Sequence, residues 1–387
     1  MRSRRAGVED LWFKTVRNPD GTTSKVPSKL DGKGSRWRAR YVDSHGQEHT
    51  KAFARKSDAQ AWLDGQTAAV VGGTHVAPKR TATTFGELAE TWFKTKGTRA
   101  PKTLAGYRSL LDTVVLPRWS DVALKDVEFE DYQVWVTGLS VDGSTKRPGD
   151  GLSPSRVIQA HQIFAAVIRF AIRTKRLGVD PTEDVDLPEK LDGEQRYLTH
   201  ELLHRLAIAA GRFRTLIFVL GYCGLRFGEA SALTVGDVNL DENKITVNKS
   251  ATYVDGRGMV EGPTKGKTVR TVPVPAFLIA LLRTEIDGRA KGDRLFVGRG
   301  DYLTVGELRW AFDPAATAIG EEGLTPHELR HTCASLAIKS GANIKVVQRL
   351  LGHKTASLTL DRYGHLYGED LDAVAVAFEA AAAAVAL

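Results

Sequence analysis

Apolar and basic side chains alternate along residues 36–42, RWRARYV. The apolar set is Trp37, Ala39 and Tyr41, and the basic set is Arg36, Arg38 and Arg40. A period of two is typical of a strand, so we predict one apolar and one basic face. After a turn and a second strand, residues 57–70 change to helical spacing, with Ala61, Trp62 and Ala69 toward the sheet. This end of the chain is therefore predicted to be a small three-stranded sheet with one helix.

Helical spacing governs the chain from residue 84 to about residue 177. The first helix opens with Thr84 and carries Glu87 three residues later, which is the pattern of a capping box. Three further apolar-periodic stretches follow: TLAGYRSLLDTVVLPRW, EDYQVWVTGL and SPSRVIQAHQIFAAVIRFAIRTKRL. Four helices in about 100 residues predict a small all-α domain.

From about residue 196 the helical pattern is interrupted by strands. KITVNKSATYV and KTVRTVPVP are typical of strands around a glycine-rich turn, and helices precede and follow them. We predict a mainly α domain with a small β-sheet, so the fold class of the whole chain is multidomain α+β. The predicted domains are 1–72, a linker over 73–83, 84–185 and 190–387.

Basic residues are concentrated in the first fifth of the chain. Residues 1–80 hold 16 Lys and Arg against 8 Asp and Glu, an excess equal to the net charge of +8 of all 387 residues. Such a local excess favours a polyanionic partner, most simply nucleic acid, over a solvated basic tail. The two cysteines, Cys223 and Cys333, cannot form a disulfide framework, which favours the cytoplasm. No apolar run reaches the ~20 residues of a membrane span, so no membrane partner is expected.

Residues 327–331 spell HELRH, which matches the H-E-x-x-H pattern of zinc proteases. On a helix, His327 and His331 would share a face, and Glu328 could act as a general base. The chain continues TCASLAI, without the further histidine of the metzincin pattern, and Arg330 places a positive charge between the two histidines. The sequence therefore disfavours zinc hydrolysis, and we predict no metal site.

The same segment contains a second spacing, H-x-x-R, which places His327 and Arg330 where both can reach one anion. Further polar candidates surround it in the sequence: Arg226 in GLRFGE, Lys265 in PTKGKTVRTVP, His353 in LGHK and Tyr363 in TLDRYGHL. In this order and spacing, over residues 190–370, these segments closely resemble the tyrosine recombinase (phage integrase) family. The layout upstream, a small sheet with a helix and then a helical domain, is similar to that of the same family.

The resemblance implies an arm-binding N-terminal domain, a SAM-like core-binding helical domain and a tyrosine recombinase catalytic domain. It implies a site-specific integrase that cleaves and rejoins DNA through a 3′-phosphotyrosine, to integrate and in some cases excise a phage or mobile element. The expected partners are double-stranded DNA at core and arm-type sites and a homotetramer on DNA. The resemblance leaves open whether a host DNA-bending factor and an excisionase are also partners. It implies no cofactor.

The resemblance also implies a role for each catalytic candidate. Tyr363 is the nucleophile, and Arg226 and Arg330 clamp the non-bridging oxygens of the scissile phosphate. Lys265 is the general acid that protonates the 5′-oxygen, and His327 assists proton transfer to or from Tyr363.

Three further assignments complete the expected site. His353 hydrogen-bonds the phosphate, and Glu229 holds the start of the helix after Arg226. The arm-binding residues are expected to be Arg36, Trp37, Arg38 and Arg40.

Two nearby residues compete with these assignments. Tyr367 lies four residues after Tyr363, and Lys267 lies two after Lys265. The flanking residues Thr359 and Gly364 favour Tyr363, and the five-residue step to the arginine of R-x-V-P favours Lys265. A type IB topoisomerase-like enzyme and a non-catalytic DNA-binding regulator stay as alternative functions.

Overall fold

The computed structural model describes residues 6–43, 46–72, 83–145, 147–190, 195–266, 268–367 and 370–385, and only the backbone at 367, 370–373 and 385. The chain divides into two compact units, residues 1–191 and 192–387. The predicted linker over 73–83 lies outside the described residues except for residue 83, and the four domain boundaries stay predictions. Within the described residues, no helix combines the length and apolarity needed to cross a bilayer.

A three-stranded antiparallel sheet with one helix forms the start of the chain, as predicted. Its elements are β1 (Gly7–Asp10), β2 (Phe13–Arg17), β3 (Thr23–Pro27), β4 (Trp37–Val42), β5 (Glu48–Phe53) and α1 (Lys56–Val71). The sheet order is β1-β4-β5, and β2 and β3 form a separate hairpin. Ala39 and Tyr41 form a buried cluster with Ala59 and Leu63 of α1. Ala61, which we expected to face the sheet, is exposed because it lies about half a turn from Ala59.

The helical part is organised around aromatic rings. Its elements are α2 (Phe85–Lys94), α3 (Pro101–Leu110), a π-helical turn (Leu111–Val115), α4 (Leu116–Trp119), a 3₁₀ turn (Leu124–Asp126), α5 (Phe129–Asp142) and α6 (Pro154–Arg173). The Phe164 ring stacks on those of Phe85 and Tyr132, each at a centroid distance of 4.4 Å. The capping box of Thr84 and Glu87 begins α2 as predicted.

The second predicted helix, over residues 103–119, is divided into three pieces. Pro117 has no backbone N–H to donate, and the residue before it donates to the carbonyl of Leu111, five residues back. The chain therefore makes a π-helical turn where the sequence pattern predicts an unbroken helix.

The second unit holds the rest of the secondary structure. Its helices are α7 (His200–Ala209), α8 (Arg214–Cys223), α9 (Phe227–Ala232), α10 (Ala276–Ile286), α11 (Val305–Ala318), α12 (Glu328–Lys339), α13 (Ile344–Leu351), α14 (Ser357–Tyr363) and α15 (Asp370–Val385), with 3₁₀ turns at Gly211–Phe213, Val235–Asp237 and Gly364–Tyr367. Its strands are β6 (Val238–Asn239), β7 (Lys244–Val247), β8 (Lys249–Val254), β9 (Gly258–Pro263) and β10 (Arg270–Pro273). Helix α8 lies in the centre of the core, with most of its side chains buried.

The β region differs from the prediction in two details. The expected single strand over KITVNKSATYV is two strands, because β7 pairs with β6 and β10 whereas β8 pairs with β9. Strand β9 falls in the segment GRGMVEGPTKG that we predicted as a turn. Pairing with β8 supplies hydrogen-bond partners to the backbone of β9. These contacts outweigh the low strand propensity of its glycines.

Candidate active site

The predicted catalytic residues of the second unit lie mainly at helix ends. Arg226 precedes α9, His327 precedes α12, Arg330 lies in the first turn of α12, His353 follows α13 and Tyr363 ends α14. The rings of His353 and Tyr363 are parallel, with centroids 6.4 Å apart. The charge of Arg226 acts on both Arg330 and His353. The fold thus brings these five residues into one cluster from four separated segments.

Two glycines allow the helix ends to approach this cluster. Gly224 ends α8 with φ 64°, and an added Cβ would lie 2.8 Å from Leu351 Cδ2. Gly352 ends α13 with φ 63°, and an added Cβ would lie 3.0 Å from Arg270 Cδ. Both glycines combine a left-handed backbone with a close approach, so a larger residue at either position is disfavoured on two grounds.

Arg330 is a buried cation without a carboxylate partner in the described part of the chain. Its side chain donates to the backbone oxygens of Gly224, at 2.5 Å, and Leu351. The residue is 3 % exposed. Burial and the charge of Arg226 lower the pKa of Arg330 to about 9, so the guanidinium is still charged at neutral pH. Carbonyl dipoles compensate only part of a buried charge, and an anion bound here would supply the rest.

Glu229 joins two arginines beside this cation. Its buried carboxylate accepts from Arg226 Nη1 at 2.8 Å and from Arg270 Nη1 and Nη2 at 3.1 and 2.7 Å. Burial on its own would raise the pKa of Glu229, but the hydrogen bonds and charges of Arg270 and Arg226 lower it to about 2. One carboxylate therefore faces three arginines, and the cluster keeps a positive excess.

Arg270 connects three elements, which the sequence pattern did not reveal. Besides its two bonds to Glu229 of α9, Arg270 Nε donates to the carbonyl of Leu350 in α13 at 3.2 Å. In the sequence this arginine was used only to choose Lys265 over Lys267, through its distance of five residues from Lys265. Its acceptors lie 41 and 80 residues away, so nothing local in the chain indicates them.

Tyr363 is fully buried, and its hydroxyl contacts His331. The distance from Tyr363 Oη to His331 Nδ1 is 2.7 Å. Burial raises the pKa of Tyr363 to about 12, although Arg330 and Arg362 oppose the rise. Burial and the neighbouring His327 lower the pKa of His331 to about 4. At neutral pH both groups are therefore uncharged, and the phenol donates this hydrogen bond in the tautomer that carries the imidazole proton on Nε2.

His331 was absent from our predicted site and was considered only as a zinc ligand. The signal that could have found it is its position four residues after His327, on nearly the same helix face. No group of three or more His, Cys, Asp or Glu that could hold a metal ion occurs among the described residues. The structure therefore offers no third ligand to the two histidines within that part of the chain.

The other two histidines are neutral at pH 7. Burial, then the charges of Arg330 and Arg226, lower the pKa of His353 to about 4, and its Nδ1 lies 3.0 Å from Thr359 Oγ1. Loss of hydration, then the same two arginines, lower the pKa of His327. The side chain of His327 is nevertheless exposed, and its ring stands edge-on to that of His331.

Lys265 does not join the cluster. It is exposed in the turn between β9 and β10, and among the described residues no hydrogen bond or ion pair connects it to the other candidates. Lys267 and the side chain of Tyr367 lie outside the described residues, so the preference for Lys265 and Tyr363 over them rests on sequence spacing.

The four predicted arm-binding residues differ from one another in their contacts. The Arg36 guanidinium bonds Asp10 at 2.9 Å and lies over the Trp37 ring, which itself packs against the sheet core. Arg38 pairs with Glu9. Arg40 is half-buried and forms no ion pair within the described residues. The basic face is therefore partly neutralised by β1, and the sequence alternation could not indicate this.

Two family models match the chain. The phage integrase family model matches residues 196–369, and the phage integrase N-terminal domain model matches residues 21–72. The phiRv2 prophage integrase of Mycobacterium tuberculosis is 26% identical over 347 residues, which cover 85% of this chain and 88% of that protein.

Solved structures share the fold at low sequence identity. The Tn1549 transposon integrase in complex with a circular intermediate DNA is 20% identical, has a TM-score of 0.62 and is matched over 72% of this chain and 95% of its own. A lambda integrase tetramer bound to a Holliday junction is 18% identical, has a TM-score of 0.53 and is matched over 82% of this chain and 93% of its own. The fold class predicted from sequence is confirmed.

Proposed function

Because the chain belongs to the phage integrase family of tyrosine recombinases, we propose that it cleaves and rejoins specific DNA sites through a 3′-phosphotyrosine formed on Tyr363. Its biological role is to integrate a phage or related mobile element into a bacterial chromosome and to excise it under some conditions. The bond energy of the phosphodiester is kept in the covalent intermediate, so the reaction needs no nucleotide cofactor.

The observation that carries this proposal is the buried positive charge beside the phenol. Arg330 is held by two carbonyl oxygens, and Glu229 is shared by Arg226 and Arg270. A scissile phosphate brings the missing negative charge to this cluster. Bidentate guanidinium donors then stabilise the charge that develops on the non-bridging oxygens in the transition state.

In the proposed reaction, Tyr363 Oη attacks phosphorus as Arg226 and Arg330 hold two non-bridging oxygens. His353, neutral and half-buried, donates a hydrogen bond to the phosphate, and His327 assists the transfer of the phenol proton. Lys265 protonates the departing 5′-oxygen. For this step the exposed turn between β9 and β10 has to move to the phosphate when DNA binds.

The parts outside the cluster supply binding and assembly. We propose that the N-terminal sheet binds arm-type sites through Arg40 and the other basic residues of β4, and that the helical part binds the core site. The active assembly is a homotetramer on DNA in the cytoplasm of the host cell. The shared fold with an integrase tetramer on a Holliday junction supports this assembly.

Covalent capture tests the function and finds the target sequence in the same experiment. The protein is incubated with nicked duplexes of randomised core sequence, the adducts are isolated under denaturing conditions, and the attached DNA is sequenced. We expect one enriched sequence class, attached to Tyr363 by peptide mapping. A Tyr363→Phe protein should form no adduct, whereas Tyr367→Phe should retain it.

The alternative functions give different results in the same system. Exchange of strands between two enriched sites supports an integrase, and relaxation of supercoils without exchange supports a topoisomerase. Adduct formation by Tyr363→Phe, or its absence in the wild-type protein, contradicts the proposed chemistry.

A further inference from the structure

The proposed nucleophile has a specific polar partner that the family pattern did not assign. Tyr363 Oη and His331 Nδ1 are 2.7 Å apart, and both side chains are buried. A short contact between a protonated phenol and a neutral imidazole nitrogen is the geometry of a general base with its substrate. His327, the residue expected to assist proton transfer, has no hydrogen bond to Tyr363 within the described residues and is exposed.

The two histidines differ in their position relative to Arg330 and α14. His327 and Arg330 are three residues apart at the start of α12, where their side chains reach one anion. His331 is one residue further, so it is rotated by about 100° from Arg330 and points to the end of α14. The His327 ring contacts the His331 ring edge-on at 5.1 Å.

We propose that His331 is a catalytic residue that holds the Tyr363 hydroxyl and accepts its proton as the phenol attacks DNA. This inference rests on the proposed function and identifies the immediate acceptor of the proton. His327 assists from its contact with the His331 ring rather than by bonding the phenol.

The Tyr363 O–H bond breaks, its electron pair forms the new O–P bond, and its proton passes to His331 Nδ1. The bond from phosphorus to the 5′-oxygen breaks, and that oxygen takes a proton from Lys265. Religation reverses both transfers, so His331 returns the proton to the phenol as the tyrosine leaves phosphorus.

Charged groups around His331 explain how bound DNA could promote the transfer. The charged groups are Glu328 and Arg330 of its own helix and Arg362 of α14, and the titratable groups beside them are His327, just before α12, and the phenol of Tyr363. The positive members oppose a proton on His331 in the free protein. A phosphate bound to Arg330 adds negative charge beside them, and the dianionic transition state adds more, so the imidazolium becomes less costly as the reaction proceeds.

Two substitutions separate holding the hydroxyl from accepting its proton. In His331→Asn the amide Oδ1 occupies nearly the place of Nδ1 and can accept the phenol's hydrogen bond, but it cannot take the proton. His331→Ala removes both capacities. We expect both variants to form the covalent adduct about 10²-fold or more slowly than the wild type in single-turnover reactions on the captured site.

A substrate with sulfur in place of the 5′-bridging oxygen identifies the step. The thiolate leaves without a proton, so this substrate should restore Lys265→Ala and leave His331→Asn slow. Near-wild-type cleavage by His331→Asn, or its rescue by sulfur, would overturn the assignment.

A matched control exists in the other unit. His161 Nδ1 lies 2.9 Å from Tyr132 Oη, and Tyr132 is fully buried. His161→Asn changes an equivalent pair, so it should lower thermal stability by a similar amount and leave the cleavage rate unchanged. DNA affinity measured for each variant confirms folding. Equal rates in wild type and both His331 variants contradict this inference alone, whereas absence of adduct in the wild type contradicts the proposed function.

Discussion

At the scale of single residues, Glu229 links the charge of the site to its stability. Its pKa is lowered to about 2 in the folded protein, against 4.5 for an ordinary glutamate. A lowered carboxyl pKa contributes stability above the unfolded value, and that contribution is lost as the pH falls from about 4.5 through 2. The difference between these two pKa values corresponds to about 3 kcal/mol of unfolding free energy. Urea unfolding between pH 2 and 6 should show this loss for the wild type.

The Glu229→Gln variant provides the comparison. At pH 7 it leaves Arg226 and Arg270 without their carboxylate, which should cost about 3 kcal/mol or more of unfolding free energy. Its stability should change less between pH 4.5 and 2, since residue 229 no longer titrates. Parallel pH curves for the two proteins would contradict the assigned role of Glu229.

Gly352 allows a prediction with an internal control. Gly352→Ala adds a Cβ 3.0 Å from Arg270 at a φ of 63°. Gly341→Ala adds one at a φ of 84° with no atom within 4 Å. The left-handed backbone should cost each variant roughly 1–2 kcal/mol. Thermal unfolding should show a larger loss for Gly352→Ala, and its cleavage rate should fall because Arg270 and His353 are displaced.

At the scale of elements, β4 and the residue before it carry two kinds of arginine that look alike in the sequence. Arg36 bonds Asp10 and packs on Trp37, so Arg36→Ala should destabilise the sheet. Arg40 has no ion pair in the described part of the chain, so Arg40→Ala should change stability by less than about 0.5 kcal/mol. If Arg40 contacts a phosphate, its loss should reduce the slope of log affinity against log salt by about 1.

The opposite outcome for the two arginines can also be interpreted. A sheet that is unaffected by Arg36→Ala, together with a reduced salt slope, would assign DNA contact to Arg36 instead. The measurements are circular dichroism melting and DNA binding at several salt concentrations, on the full chain.

Local sequence predicts elements well where one face is buried. The alternation in β4 and the capping box before α2 both follow from nearest-neighbour chemistry. It does not predict which distant groups meet. Glu9 faces Arg38 only through the pairing of β1 with β4, and β9 forms only because β8 supplies its partner.

The same limit applies to the site. Spacing selected Arg226, Arg330, His353 and Tyr363, which the fold brings together. The bond from Tyr363 to His331 depends on how α14 packs on α12, and the contacts of Arg270 join residues more than 40 positions apart. Such contacts are properties of tertiary packing and leave no periodic signal in the chain.

At the scale of the whole molecule, the two compact units should unfold as separate transitions. Inorganic phosphate should bind the arginine cluster and raise the midpoint of the transition of residues 192–387, leaving the other unchanged. At 100 times its dissociation constant, a ligand adds about 2.7 kcal/mol. Calorimetry in phosphate, against chloride at equal ionic strength, measures the shift. Arg226→Ala should reduce it, and an equal shift in both transitions would contradict site binding.

The three-way contact of Arg270 has a consequence for the way such a site changes over evolutionary time. Its guanidinium touches Glu229 and Leu350, and its side chain occupies the space that a Cβ on residue 352 would need. A new residue at any one of these positions alters what the others can tolerate. Positions 229, 270 and 352 should therefore be substituted jointly among descendants of this gene, and a lineage that loses one should show compensating replacements at the other two.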